Sequence, residues 1–467
     1  MEDHFLSPDF AKLRRTGGDM IMTHSSAPSR FFQRIVALGG ILSLTVCLTQ
    51  CSKLPTGGEG VRKAAVLSEV QESGQVLGDV NSNTCRDGIQ PSGALYRMCM
   101  PDLWNGDLVV YAHGYVDPRE PLSIPDDEVG DRHISEIVNE LGYAFATTSY
   151  RANGLVVPDA VHDLIELVNL FFDEYADPNH VYLVGASEGG LITALAVETY
   201  PHTFHGGLAG CGPVGNFRRQ LNHFGDFRVV FDYFFPEVIP GSPVDIPEEV
   251  IDEWDLVYEQ KVKDAIRAAP HATEQLLRVT CAPTDPWDAA SIEETILGAL
   301  RYNVLATNNA VDKLGGQPFD NRKRIYIGSK DDFRLNRQIQ RVRADEAALD
   351  EIASNYETSG CLVSPLVTIH TTRDEIVPYW HEPFYRWRVF TCGSGLLHTN
   401  IPVFRYGHCN FRVYEVLVAF AALVFQVTAQ ELIVADSVLP DAESQSEFLR
   451  LAREQGLQPK IVPRSAL

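Results

Sequence analysis

The stretch from His180 to Ile192 constrains this chain more than any other. Val181 to Val184 are apolar or aromatic and rich in strand formers, which predicts a fully buried strand. Gly185-Ala186-Ser187-Glu188-Gly189 follows, and Leu191 to Thr199 then runs without a breaker, which predicts a helix. A sharp strand-to-helix turn with serine at its apex strains the serine backbone and lifts the hydroxyl clear of the sheet. Gly185 and Gly189 leave room where strand and helix nearly touch. The helix N-terminus points unpaired N–H groups and a positive dipole end at the same spot, which suits a developing oxyanion. Chance gives a chain of this length only about 0.1–0.2 Gly-x-Ser-x-Gly pentapeptides. The setting between a buried strand and an apolar helix therefore carries most of the weight.

The 467 residues allow one large domain with an insertion, or several smaller ones. The net charge of −23 and the lack of a basic block beyond the N-terminus argue against nucleic acid, whose phosphates call for clustered Lys and Arg. Near the N-terminus, Arg30 and Arg34 precede an apolar run from Ile35 to Leu48, too short to span a bilayer comfortably. This reads as a secretory targeting segment over residues 1–51, with Met20 or Met22 as alternative starts. Leu48-Thr49-Gln50-Cys51 resembles a bacterial lipobox, with Gln50 where a small residue is usual. Lipidation at Cys51 would anchor the protein to a membrane, giving a secreted, periplasmic or cell-envelope lipoprotein.

Nine cysteines fit an oxidising compartment. Setting aside Cys47 and Cys51 leaves an odd number, so one stays free unless chains pair. Cys85 with Cys99 is the expected local bridge. No Cys-x-x-Cys and no His-Glu-x-x-His occurs, so neither a metal site nor a cofactor is expected.

Residues 52–93 read as a linker and irregular entry segment. Ala94 to Met100 and Leu108 to Ala112 are predicted strands, with Trp104 to Asp107 as a hairpin turn between them. Ile134 to Leu141 is a predicted helix, Tyr143 to Ser149 a strand, Val161 to Tyr175 a helix and Gly206 to Gly212 a strand of small residues. This alternation predicts a mostly parallel sheet flanked by helices, with a first core segment over 94–215. Residues 216–360 turn helical and aromatic-rich and read as an inserted cap, most of whose rings form the cap's own core. The sheet resumes over 361–432, through Leu366 to Thr372 and Pro402 to Arg405, and is covered by a helix from Val413 to Gln426. Residues 433–467 read as a polar tail with one helix.

A nucleophilic serine needs a base, and the base needs an acid to fix its tautomer. Asp374 follows one buried strand and His408 follows the next, at a glycine turn. Asp331 or Asp332, after Arg324 to Gly328, competes for the acid role if that segment is a core strand. His370, His381 and His398 compete with His408. His113, just after a core strand, reads as structural. The His113-Gly114-Tyr115 turn would lend a backbone N–H from Gly114 or Tyr115 to an oxyanion hole, beside the N–H of Glu188.

The order Ser187, Asp374, His408 is that of the α/β-hydrolase superfamily, which the sequence resembles from about residue 94 to 215 and again from 361 to 430. The resemblance rests on His113-Gly114, on Gly185 to Gly189, on the strand followed by Asp374 and on Gly407-His408. It implies a Ser-His-Asp hydrolase with an insertion after the sixth strand forming a lid. His408-Cys409 is also similar to the tannase and feruloyl esterase family, in which flanking cysteines bridge the serine and histidine segments. Here Ala186 stands before the serine, so that bridge cannot form. The expected activity is cleavage of a small carboxylic ester. One alternative is a serine peptidase of the same fold, with Glu248, Glu249, Asp252 and Glu253 to hold a substrate amine. The other is a surface protein that kept the fold without catalysis.

Overall fold

The computed structural model describes residues 84 to 466, within one compact unit. The expected targeting segment, the expected lipobox at Cys51 and most of the expected linker lie outside the described residues. Among those described, no helix is long and apolar enough to cross a membrane.

The first two strands are β1, Thr84–Ile89, and β2, Leu95–Met100. The apolar runs read from sequence then become β3, Leu108–Ala112; β4, Ala144–Thr148; β5, Val181–Ala186; β6, Gly206–Gly210; β7, Leu366–Arg373; and β8, His398–Tyr406. All eight join one sheet in the order β1-β2-β4-β3-β5-β6-β7-β8. β1, β2 and β4 pair antiparallel, and every pair from β4 to β8 is parallel. This is the α/β-hydrolase sheet. Parallel strands need crossovers, and helices supply them on both faces.

On one face lie α2, Val157–Glu174, and α3, Glu188–Thr199, burying Leu164, Leu167, Phe171, Leu191 and Val197. On the other lie α1, Ile134–Glu140, and α12, Val413–Thr428, burying Ile137, Leu417, Phe420 and Leu423. Burying each of these large side chains is worth roughly 1.5–3 kcal/mol. Between β6 and β7 the chain leaves the sheet through α4, Phe217–Phe234; α5, Glu248–Asp252; α6, Glu259–Ala268; α7, Pro270–Thr280; α8, Ser291–Lys313; α9, Asp332–Gln338; and α10, Glu346–Asn355. Phe227, Phe231, Phe235, Trp254 and Tyr258 pack into a core of this insertion, while Trp287 is exposed. The remaining helices are α11, His381–Cys392, and α13, Ala442–Glu454.

Four local expectations need correcting. The entry segment contains β1, an edge strand whose Cys85, Arg86 and Asp87 are exposed. It carries no apolar alternation, because its ladder with β2 and the Cys85–Cys99 bridge hold it. Trp104 to Asp107 is no hairpin turn, because β4 lies between β2 and β3. Arg324 to Gly328 forms no strand. The tail is not merely polar: Ile433–Ala435 pairs in parallel with Lys460–Val462, and Phe448 and Leu457 are buried beside α12.

Candidate active site

Ser187 sits between the end of β5 and the start of α3 with φ 58° and ψ −123°. That is a strained, left-handed conformation for a residue with a side chain. The turn is possible because two glycines face backbone. A Cβ at Gly189 would overlap the Ala112 carbonyl oxygen, and one at Gly185 would overlap the Gly189 carbonyl. At Gly114 a Cβ would stand 3.3 Å from the Ser187 Cβ, so the turn after β3 runs close past the serine.

β7 and β8 are parallel neighbours, so their C-terminal loops leave the same sheet edge. The Thr371 hydroxyl donates to the Gly407 carbonyl at 2.7 Å and ties the two loops together. Gly407, at φ 102°, then turns the chain so that His408 points back toward β5. His408 Nε2 lies 2.8 Å from Ser187 Oγ and Nδ1 lies 2.7 Å from Asp374 Oδ2. With its proton on Nδ1, the imidazole donates to the carboxylate and accepts from the serine hydroxyl. The other Asp374 oxygen accepts the backbone N–H groups of Ile376 and Val377 at 3.0 and 2.8 Å. Burial pushes the Asp374 carboxyl up, but the charges and hydrogen bonds of His408 and His370 outweigh it and hold Asp374 well below the usual carboxylate range.

The rivals are engaged elsewhere. Asp332 accepts the N–H and the hydroxyl of Ser329 at the start of α9. His381 accepts the Gly215 N–H and faces Gln220. His398 meets the Thr368 hydroxyl, and His370 meets Glu382. His113 stacks on Tyr150 and turns Nδ1 to the Gly114 carbonyl, a structural position. For the oxyanion candidates, Glu188 opens α3, where the N–H has no intrahelical acceptor, and Gly114 and Tyr115 lie beside Ser187.

Two features escaped the sequence reading. The Glu188 side chain does not stay at the helix dipole. It turns inward to accept the Val156 N–H at 3.1 Å, and burial pushes its carboxyl up to about 8. Cys409 is bridged to Cys211 at the end of β6. Because β5 and β6 pair, Ala186 opposite Gly210, the histidine loop is tied one strand away from the serine instead of to the residue before it. Linear spacing cannot reveal a bridge between residues so far apart. A second such bridge joins Cys361 and Cys392, and Cys281 is free. Cys211, Cys409 and His408 come close enough to suggest a metal site, but the disulfide consumes both thiolates.

A cleft opens from Ser187 between the sheet and the insertion, with about 880 Å³ of empty space counting its open mouth. Leu155, Phe217, Phe224, Tyr302 and Phe319 make its walls, and among the described residues Glu188 is the one carboxylate lining it. Glu248, Glu249, Asp252 and Glu253 are exposed and do not line it.

Residues 137–228 match the model of the prolyl oligopeptidase family, a segment from α1 through the serine turn into α4. No curated protein matches the chain significantly. Among solved structures, it is similar to Pyrococcus horikoshii acylaminoacyl peptidase, with 11% identity over 70% of this chain and 38% of that one and a TM-score of 0.35. It is similar to an Aspergillus oryzae esterase at 14% identity over 73% and 78% of the two chains, TM-score 0.40. Feruloyl esterase B of the same fungus gives 15% over 73% and 80%, TM-score 0.39. The chain spans less than half the length of the acylaminoacyl peptidases it matches. Sheet order and serine turn give the chain the α/β-hydrolase fold, and the segment that carries the serine turn is similar to the prolyl oligopeptidase family.

Proposed function

We propose that the protein hydrolyses carboxylic esters through an acyl-enzyme on Ser187, with His408 as general base and Asp374 as the acid that orients it. One observation carries this reading: the unbroken hydrogen-bond chain from Ser187 Oγ through His408 to Asp374 at the mouth of an apolar cleft. His408 Nε2 takes the serine proton as Oγ attacks the ester carbonyl. The carbonyl oxygen gains charge where the N–H groups of Glu188 and of Gly114 or Tyr115 converge. His408 then protonates the leaving alcohol, and a water it deprotonates releases the acid. Metal or cofactor chemistry has no part in this sequence of steps.

The cleft favours a substrate with a bulky apolar or aromatic group, since its walls are aromatic and aliphatic. The family-model match favours a second reading, a peptidase. Against it, the acidic residues expected to hold a substrate amine lie on the exposed side of α5, and Asp252 pairs with Arg119. We place the protein in the cell envelope or outside the cell. Three disulfides among the described residues support that location.

A panel of p-nitrophenyl esters and aminoacyl p-nitroanilides, run on wild type and Ser187→Ala, tests the reading. Ester turnover that vanishes in Ser187→Ala is expected. Turnover of anilides alone would favour the peptidase, and turnover unchanged by Ser187→Ala would overturn both.

A further inference from the structure

Behind Asp374 lies a second histidine–carboxyl pair, His370 and Glu382, that the steps above do not use. His370, on β7, is fully buried. Its Nδ1 faces Glu382 Oε1 at 3.1 Å. Its Nε2 faces the Val377 carbonyl at 2.8 Å and Asp374 Oδ2 at 3.4 Å. Both ring nitrogens therefore face oxygen acceptors. A neutral imidazole carries one N–H and would set its lone pair against an oxygen.

The surroundings of Glu382 are rich in hydrogen-bond donors. The Tyr379 hydroxyl lies 3.0 Å from Asn400 Oδ1, and Asn400 Nδ2 faces Glu382. Glu382 Oε2 then accepts from Asn400 at 2.7 Å and from the Thr368 hydroxyl at 2.6 Å. Glu382 is thus surrounded by hydrogen-bond donors and presents an acceptor oxygen to the His370 ring. Asp374, also buried, adds a second negative charge on the far side of the ring.

We propose that His370 is a positioning residue of this site: as an imidazolium clasped between Glu382 and Asp374, it keeps the Asp374 carboxylate ionised and turned toward His408. The proposal rests on the functional reading above. Val377 shows the clamp in one residue, its N–H on Asp374 Oδ1 and its carbonyl on His370 Nε2. Burial alone would discharge the ring, but the hydrogen bonds and charges of the two carboxylates bring it up to about 10. The other titratable groups around it add no opposing charge near neutrality. His381 on α11, His223 on α4 and His398 on β8 are all pushed down by burial, and His223 donates Nε2–H to the Glu375 carbonyl. His408 Nδ1 meets the same Asp374 oxygen, Oδ2, that His370 Nε2 faces.

The dependence of kcat/KM on pH separates this role from a purely structural one. A buried cation beside Asp374 repels a proton on His408. His370→Gln, which can still donate to the Val377 carbonyl, is expected to move the acid limb for p-nitrophenyl ester hydrolysis upward by about one pH unit. It should also lower kcat roughly tenfold or more with KM little changed. Glu382→Gln should move the same limb in the same direction. A folded His370→Gln protein with the wild-type limb and kcat overturns the proposal. If that variant does not fold, side-chain nitrogen NMR of the wild type decides. Two protonated ring nitrogens on His370 at about pH 8 sustain the proposal, and one bare nitrogen overturns it. A wild type that neither turns over ester nor reacts with a fluorophosphonate overturns the reading of the whole site. An active wild type with an unmoved limb in the variant overturns the role of His370 alone.

Discussion

At the scale of single residues, Ser187 is held in a conformation that a side chain adopts only under constraint, and its hydroxyl meets one imidazole. Replacing Ser187 or His408 with alanine should each cost about 10⁴- to 10⁶-fold in kcat, because the two act as a unit. The double variant should cost little more than either single one, and steady-state kinetics on an activated ester reads this directly. Glu188 gives a prediction about stability. Its carboxyl is raised from an ordinary value to about 8 by burial. A raised acid stabilises the fold below its unfolded value, about 4.5, and loses that contribution as pH climbs through its folded value. Between about pH 4.5 and 8 wild type should therefore lose stability relative to Glu188→Gln, by up to several kcal/mol, whatever the buried histidines common to both proteins contribute. Urea midpoints for both proteins at the two ends of the range check this.

At the scale of elements, the serine turn was legible because its constraint is local: strand, glycine, serine, glycine and helix are contiguous. Asp374 and His408 were legible because each follows a core strand. β1 was not, since an exposed edge strand has no apolar alternation to mark it. The Cys211–Cys409 bridge was not, because pairing depends on which strands become neighbours. That bridge ties the His408 loop to the end of β6. Removing it with Cys211→Ala and Cys409→Ala should cost about 2–5 kcal/mol of stability. It should also lower kcat about tenfold or more as the imidazole loses its fixed place. Removing Cys361–Cys392, which ties the C-terminal end of α11 to the segment before β7, should lower stability and leave kcat within about twofold. Paired unfolding and kinetic measurements on the two variants separate anchoring of the site from general stabilisation.

At the scale of the whole molecule, the alternation of strand and helix gave the sheet its class, and length gave room for the insertion between β6 and β7. The C-terminal region shows what composition hides. Most of its exposed residues are polar, yet Phe448 and Leu457 complete the core over α12. Deleting residues 433–467 should therefore uncover that core and lower the melting temperature by more than about 10 °C or abolish soluble yield, whereas a loose tail would leave both unchanged. The central claim concerns one hydroxyl among many, and covalent labelling addresses it most directly. Peptide mass spectrometry after fluorophosphonate treatment should find a single adduct per folded chain, on Ser187, and lose it in His408→Ala. A folded wild-type chain left unmodified, or modified at another serine with Ser187 untouched, would contradict the account.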